Sequence, residues 1–224
     1  MTVADAARVP CDPDLPLSVR LRTGTRADHE AAERSAFVEH LLSGALTRDA
    51  YVDLAVQQHA VYTALEEVGD ALLATTPDAS AVVLEDLRRL PSIEDDLAFL
   101  LGADWPARAR VLPATARYAA HLREHATTLP RWVAHAYTRY LGDLSGGQVV
   151  HRMMQRHYGL GEQGLSFYRF AAAPRVTPFK DEYRDRLDAL PLTEEQRREV
   201  VDEARRAFAL NRGVFADLGA VHHP

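Results

Sequence analysis

Apolar residues recur at helical spacing along nearly the whole chain, and this pattern predicts an all-α protein. A first helix is outlined from Leu17 onward and ends at Gly44, a residue type that commonly terminates helices. A second helix begins behind Thr47, which is favoured as an N-cap, and ends before Pro77. No stretch of useful length alternates between apolar and polar residues, so the sequence predicts no strand.

The helical pattern continues through the second half of the chain. The predicted helices lie, in chain order, near residues 80–90, 92–102, 114–126, 131–158 and 177–188.

Prolines and glycines mark the loops between these helices. Pro106 and Pro113 bound one loop, and Gly159, Gly161 and Gly164 mark another.

The last helix has the clearest start signal. Thr193 is followed three residues later by Gln196, which is the spacing of a capping box. Apolar positions then continue along one face to Leu218. Residues 1–16 contain three prolines and no periodic pattern, so they are predicted to form a loose tail before one domain over residues 17–220.

Composition narrows the class of protein. The 224 residues carry a net charge of −6, which argues against a nucleic-acid-binding protein. There is no run of eighteen apolar residues and no signal peptide, so we expect a cytoplasmic protein without membrane contact. The single cysteine, Cys11, cannot form an intrachain disulfide. Lys180 is the only lysine among 26 basic residues.

The most informative segment is the glycine-rich run YTRYLGDLSGGQ at residues 137–148. A glycine in a helix interior costs roughly 1 kcal/mol relative to alanine, so three of them in one helix need a reason. Gly142 and Gly146 are four residues apart, so they share one face and leave it bare. A flat ligand can lie against such a face, with Asp143 beside it as a polar group.

This run resembles the signature of the heme oxygenases, which carry a bent glycine-rich helix over the distal face of heme. Further stretches are similar to the same family, in the expected order, over roughly residues 18–218: 62–67, 87–100, 134–136, 179–184 and 207–211. The resemblance implies a single all-α domain with heme held between a proximal helix and the kinked glycine-rich distal helix. A soluble bacterial member of the family fits the chain best.

The resemblance assigns the proximal iron ligand to His29. A heme enzyme needs an axial ligand, and a neutral imidazole is common. His29 is followed by the small residues Ala31, Ala32 and Ala36, which leave room for a macrocycle, and Glu33 lies one turn away, where it can orient the site. Taken alone the pattern is weak, because most of the ten histidines must be surface or core residues.

The resemblance also assigns proton delivery to Asp143, through ordered water that it holds near the iron. Arg139 lies one turn earlier, and Tyr62 is expected nearby, so both can anchor the same water. The alternative is that Asp143 only forms an ion pair with a neighbouring arginine.

Cations and phenols are expected near the heme propionates. Lys180 and Arg184 are four residues apart on one helix face, and Arg22 and Tyr137 are further candidates. A basic surface residue is usually just solvated, which is the alternative for Arg22. On the last helix Phe208 and Phe215 are expected at the heme edge, unless they are simply core. The predicted heme-contacting residues are Arg22, Glu33, Tyr137, Thr138, Gly142, Ser145, Gly146, Lys180, Arg184, Phe208, Asn211 and Phe215.

The predicted function is oxidative cleavage of heme b, substrate and cofactor at once, to biliverdin, carbon monoxide and ferrous iron. O2 is the oxidant, and electrons come from an external ferredoxin or reductase because the chain has no dinucleotide-binding glycine fingerprint. A monomer is expected. Two alternatives remain: a protein that binds or stores heme without cleaving it, and a thiaminase-like helical enzyme. The latter would need a cysteine in its pocket, for which Cys11 is a poor candidate.

Overall fold

Residues 14–170 and 176–223 are described by a computed structural model. The predicted tail over residues 1–16, with Cys11, falls almost wholly outside these ranges. The helices are α1 Leu17–Gly24, α2 Arg26–Glu33, α3 Ala36–Ser43, α4 Arg48–Thr75, α5 Leu90–Leu101, α6 Trp105–Arg108, α7 Pro113–His125, α8 Leu129–Ala136, α9 Gly142–Tyr158, α10 Val176–Asp188 and α11 Glu194–Val221. A π-helical stretch, Tyr137–Leu141, joins α8 to α9, and short 3₁₀ turns cover Pro77–Ala81, Glu85–Leu87 and Ser166–Tyr168. The prediction of an all-α fold is confirmed.

The two longest helices, α4 and α11, organise the core. α7 packs against both of them, α8 packs mainly against α11, and α5 packs against α4. Trp132 of α8 is buried, and its indole N–H donates to the carbonyl of Leu65 in α4 at 2.9 Å. Gly69 lies directly opposite, where a Cβ atom would come within 3.1 Å of the Trp132 ring. A bulky side chain is therefore excluded at this crossing.

The prediction of one helix from residue 17 to 43 is wrong, because the chain forms three short helices there. Thr25 leaves α-helical geometry, and its hydroxyl donates to the carbonyl of Leu21 at 2.7 Å. Ser35 is extended and separates α2 from α3. At the first break, Arg205 of α11 donates to the carbonyl of Gly24 at 3.0 Å, so a carbonyl that the helix cannot satisfy finds a distant partner.

Two other boundaries differ from prediction. A helix over 80–90 does not form; two 3₁₀ turns lie there instead, and α5 starts at Leu90. Glu66 of α4 fixes this start by accepting hydrogen bonds from the backbone N–H groups of Arg89, at 2.6 Å, and Leu90, at 3.3 Å. The loop predicted between Pro106 and Pro113 is partly occupied by the short helix α6.

The capping box predicted for the last helix is present. The Thr193 hydroxyl accepts from the Gln196 N–H at 3.2 Å, and the Gln196 side chain accepts from the Thr193 N–H at 2.8 Å. We expect Thr193→Ala to lower the free energy of unfolding by about 1 kcal/mol, because the N-terminal N–H of α11 loses its acceptor. Thermal denaturation measures this effect. Thr75→Ala, at the exposed C-terminal end of α4, is the control, and an equal loss there would argue against the cap.

No helix of residues 14–170 and 176–223 combines the length and the apolar character that a bilayer span requires.

Candidate functional site

A cavity of about 400 Å³ opens between α2, α3, α4, α9 and α11. Its volume lies within the range of small-molecule and cofactor pockets. Most of its lining surface is apolar, with polar side chains contributed by several of the helices. Eleven of the residues predicted to form the site line it: His29, Glu33, Thr138, Arg139, Gly142, Asp143, Ser145, Gly146, Phe208, Asn211 and Phe215.

His29 stands on the α2 wall of this cavity. Its side chain is about half exposed, and its Nδ1 lies 3.4 Å from a carboxylate oxygen of Glu33. The ring of Phe208 meets the imidazole edge-on at 5.8 Å between centroids. With Nδ1 directed to Glu33, Nε2 is the nitrogen left to ligate a metal.

At two of its glycines, the α9 wall of the cavity presents backbone without a covering side chain. A Cβ atom built on Gly142 or on Gly146 meets no other atom within 4 Å. Gly147 differs, because its Cβ would come within 2.9 Å of the Tyr168 ring. Two glycines of the motif thus leave room in the cavity, while the third lets a loop pack against the helix.

Asp143 leads into a buried polar network. The Tyr62 hydroxyl donates to its carboxylate, and Tyr62 itself is fully buried behind the cavity wall. The Arg139 guanidinium lies over the Tyr62 ring at 5.1 Å and donates to the Asn211 side-chain carbonyl at 2.8 Å. The Arg139 Nε is also buried and has no partner among the described residues, so the network retains an unused donor.

Burial and neighbouring charges together set the ionisation of this network. It raises the pKa of Asp143, although the Arg139 charge and the Tyr62 hydroxyl act in the opposite direction. Burial lowers the pKa of Arg139, but nearby Tyr62 and Asp143 outweigh it and raise the value overall. Arg139 therefore stays charged, and Asp143 takes up a proton more readily than an ordinary carboxyl group.

Four further predicted residues, Arg22, Tyr137, Lys180 and Arg184, do not line the cavity. The Lys180 ammonium donates to the Ser145 hydroxyl at 3.2 Å, which places α10 next to α9. Burial raises the pKa of Tyr137, while Arg184 and Arg22 lower it, so both arginines lie near this phenol. Arg184 is also paired with Asp181 at 2.7 Å. Of these cations, Lys180 is the one whose contact with a cavity-lining residue, Ser145, is direct.

Sequence reasoning missed Tyr168 and Gln58, which also line the cavity. Tyr168 lies in a 3₁₀ turn that Asp96 of α5 holds, accepting from the N–H groups of Ser166 and Phe167 at 2.8 Å each. Nothing near Tyr168 in the sequence points to this position. Gln58 offered one signal, since it is a polar residue among the apolar positions of α4.

Comparison with known proteins agrees with this geometry. The protein-family model for heme oxygenase matches residues 15–217. A heme oxygenase 1 from Synechocystis sp. is 37% identical over 203 residues, covering 90% of this chain and 84% of that protein. Human heme oxygenase 1 is 38% identical over 205 residues, covering 90% of this chain and 71% of that protein. The chain belongs to the heme oxygenase family.

Solved structures extend the similarity to three dimensions. The crystal structure of heme oxygenase-1 from Synechocystis sp. PCC6803 in complex with heme has a TM-score of 0.87 to this chain, at 36% identity. The alignment covers 92% of this chain and 94% of that one. Heme oxygenase-2 from the same organism, in complex with heme and NO, has a TM-score of 0.88 at 33% identity. The chain is therefore a heme-degrading enzyme.

Proposed function

We propose that the cavity holds heme b with His29 as the iron ligand, and that the chain cleaves it to biliverdin, carbon monoxide and ferrous iron. O2 is the oxidant, and the electrons come from a separate ferredoxin or reductase. The observation that carries this proposal is the shared cavity, in which an imidazole with a free Nε2 and a carboxylate on a bare glycine helix face the same space.

The residues present fit the heme. The open space over Gly142 and Gly146 accepts a flat ring at van der Waals distance from the α9 backbone. Aromatic and aliphatic side chains, including Phe208 and Phe215, supply the apolar contacts that such a ring needs. When bound, heme supplies both the iron at which oxygen is activated and the ring that is cleaved.

His29 and Glu33 act as a pair in this proposal. The Glu33 carboxylate lies 3.4 Å from the His29 Nδ1, so a small approach would let it accept the Nδ1–H hydrogen bond, which would favour the tautomer whose Nε2 binds a metal. The Phe208 ring limits rotation of the imidazole.

Asp143 holds and moves protons on the other wall. Its raised pKa lets the carboxyl group accept and release a proton closer to neutral pH than usual. Tyr62 fixes one carboxylate oxygen, and Arg139 keeps a positive charge beside it. The other oxygen can hold the water that carries protons toward the iron.

Lys180, Arg184, Arg22 and Tyr137 are proposed to receive the propionates. Lys180 contacts Ser145 on α9, so it can join α10 to the rim of the cavity. Arg184 must share its charge with Asp181, which makes it the weaker of the two cations on α10.

The alternative of a protein that binds heme without cleaving it does not account for Asp143. Removing a carboxyl group from water costs free energy, and a protein that only stores heme gains nothing in return. Proton delivery, in contrast, requires such a group. Single turnover separates the two functions. The heme complex mixed with reduced ferredoxin in air should yield biliverdin and carbon monoxide, and a heme spectrum that persists unchanged would favour storage.

The glycines allow a matched pair of substitutions. Gly146→Ala should stabilise the heme-free protein by about 1 kcal/mol, because it removes a helix-interior glycine without a clash. Gly147→Ala should destabilise it by about 1–3 kcal/mol, because the new Cβ presses on Tyr168. Thermal denaturation of both variants measures the difference.

A larger side chain at the same position tests the heme contact. Gly146→Leu should weaken heme affinity by roughly 10- to 100-fold, since it fills the space that the ring requires. Heme titration followed by absorbance measures this. Unchanged affinity would mean that heme does not lie against this part of α9.

A further inference from the structure

Away from the heme cavity, two histidines and a glutamate from three helices meet at one point. His121 lies on α7, His135 on α8 and Glu203 on α11. One Glu203 carboxylate oxygen is 2.5 Å from the His121 Nε2 and 2.9 Å from the His135 Nε2. One ligand atom from each residue lies within 4.8 Å of the other two.

The cluster is enclosed on one side and open on the other. His135 is fully buried, whereas the side chains of His121 and Glu203 are 16% and 13% exposed. An ion can therefore approach from solvent along the His121 side. The imidazole of His125 lies nearby and is tilted by 49° to that of His121, with 5.1 Å between the ring centroids.

His135 also has a partner at its other ring nitrogen. The Tyr118 hydroxyl lies 3.2 Å from the His135 Nδ1, and Tyr118 is fully buried. Metal-bound histidines commonly have a hydrogen-bonding partner at the second nitrogen, which fixes the ring and its tautomer. Without an ion, the His135 Nε2–H donates to the Glu203 carboxylate and Nδ1 accepts from the Tyr118 hydroxyl. A bound ion would take the place of the Nε2 proton, and the ring would then carry its proton on Nδ1 and donate it to the Tyr118 oxygen.

We propose that His121, His135 and Glu203 form a binding site for a divalent transition-metal ion of the zinc class, separate from the heme site. Two imidazoles and one carboxylate are a donor set that Zn²⁺ uses, with water in the fourth position. Bond lengths near 2.0 Å put neighbouring ligand atoms about 3.3 Å apart in tetrahedral geometry. The two contacts of Glu203, at 2.5 and 2.9 Å, are shorter than this, so its long and partly exposed side chain would retreat by less than about 1 Å to admit the ion.

Metal binding at this point would join α7, α8 and α11. The backbone of α8 continues directly into the π-helical stretch that carries Arg139, one turn beyond His135. The ion would thus hold the helix behind the Asp143 network in place. It would stabilise the folded protein, because the unfolded chain does not bring these residues together.

Isothermal titration calorimetry of the full-length, heme-free protein with ZnCl₂, after treatment with a chelator, tests the proposal. We expect one saturable site per chain. We also expect the melting temperature to rise by roughly 5–10 °C at free Zn²⁺ a hundredfold above Kd. Absence of a saturable site would overturn the proposal.

Variants identify the site. Glu203→Gln keeps the size of the side chain but removes its charge, and it should weaken Zn²⁺ binding by more than about 100-fold, as should His121→Ala. Tyr118→Phe removes only the outer partner and should weaken binding by about 10- to 100-fold. His125→Ala is the neighbouring control and should leave affinity within about twofold.

Another histidine–glutamate pair, His29 and Glu33, requires its own control. Zn²⁺ binding that survives in His29→Ala but is lost in Glu203→Gln supports the proposed site. Two results contradict the proposed site: Zn²⁺ binding that survives in Glu203→Gln, and Zn²⁺ binding that is lost in His29→Ala but in none of the other variants. Circular dichroism establishes whether each variant is folded. If a variant is unfolded, its loss of Zn²⁺ binding does not count, and the affinity of Tyr118→Phe decides instead.

Discussion

Replacing His29 by alanine should abolish biliverdin formation. The proposed iron ligand is lost, and no other histidine lines the cavity among the described residues. We expect turnover to fall by at least about 100-fold, equivalent to roughly 2.7 kcal/mol of transition-state stabilisation. Because the variant leaves a gap beside Phe208, imidazole added to the solution should restore part of the heme spectrum. Absorbance titration with heme, with and without imidazole, measures both effects.

The matched control is His40→Ala, on the adjacent helix α3. His40 does not line the cavity, so heme affinity and biliverdin yield should stay within about twofold of the unsubstituted protein. Biliverdin formation by His29→Ala at the normal rate, without imidazole, would exclude His29 as the iron ligand.

Replacing Asp143 by alanine or asparagine should separate heme binding from cleavage. Neither change removes the proposed iron ligand or the apolar walls, so heme affinity should change by less than about threefold. The rate of biliverdin formation should fall by about 10²- to 10⁴-fold, the usual contribution of a positioned acid or base, so the biliverdin yield should drop as heme is diverted to other products. Product spectra after a single turnover measure the yield, and an unchanged yield would eliminate this role for Asp143.

The pH profile provides an independent test of the same residue. The pKa of Asp143 is raised by burial, so activity that needs the carboxylate should decline as the pH falls through a value above that of an ordinary carboxyl group. The Asp143→Asn enzyme should lack this decline. Tyr62→Phe should keep it but shift it upward, because the Tyr62 hydrogen bond lowers the pKa of Asp143.

The contribution of Asp143 to the stability of the folded protein should change with pH in the opposite direction to the activity. A carboxyl group whose pKa is raised on folding binds its proton more tightly in the folded state, so its contribution to stability falls as the pH rises through that range. Asp143→Asn should therefore raise the melting temperature of the heme-free protein near neutral pH. At a pH below the ordinary carboxyl pKa the gain should disappear.

Local signals in the sequence predicted part of this fold accurately. The capping box at Thr193 is such a signal, because both hydrogen bonds form within four residues. The bare face of Gly142 and Gly146 is another, because residues four apart on one helix share a face whatever surrounds them. The resemblance to the family was carried by the same motif, and the family is confirmed.

Features that depend on distant partners could not be predicted in this way. The break after Gly24 is stabilised by Arg205, 181 residues away, and apolar spacing alone does not show where a helix axis changes. The position of Tyr168 depends on a loop held by Asp96 of α5. His121 and Glu203 are 82 residues apart and meet only because α7 packs against α11.

The candidate site could be predicted in part from local sequence signals and depends in part on contacts between distant residues. Its residues were predicted from the glycine motif and from other stretches that resemble the family, and the structure places most of them around one cavity. The contact of Tyr62 with Asp143 spans 81 residues and depends on the packing of α4 against α8, the helix that leads into α9. The roles of His29, Asp143 and the cations stay predictions until they are measured.

The crystal structure of the heme complex tests the central claim most directly. The account predicts one heme in the cavity, with its iron bound to the His29 Nε2, its ring against Gly142 and Gly146, and the Asp143 carboxylate facing the iron without touching it. Iron bound by any other residue, or heme outside this cavity, would contradict the account.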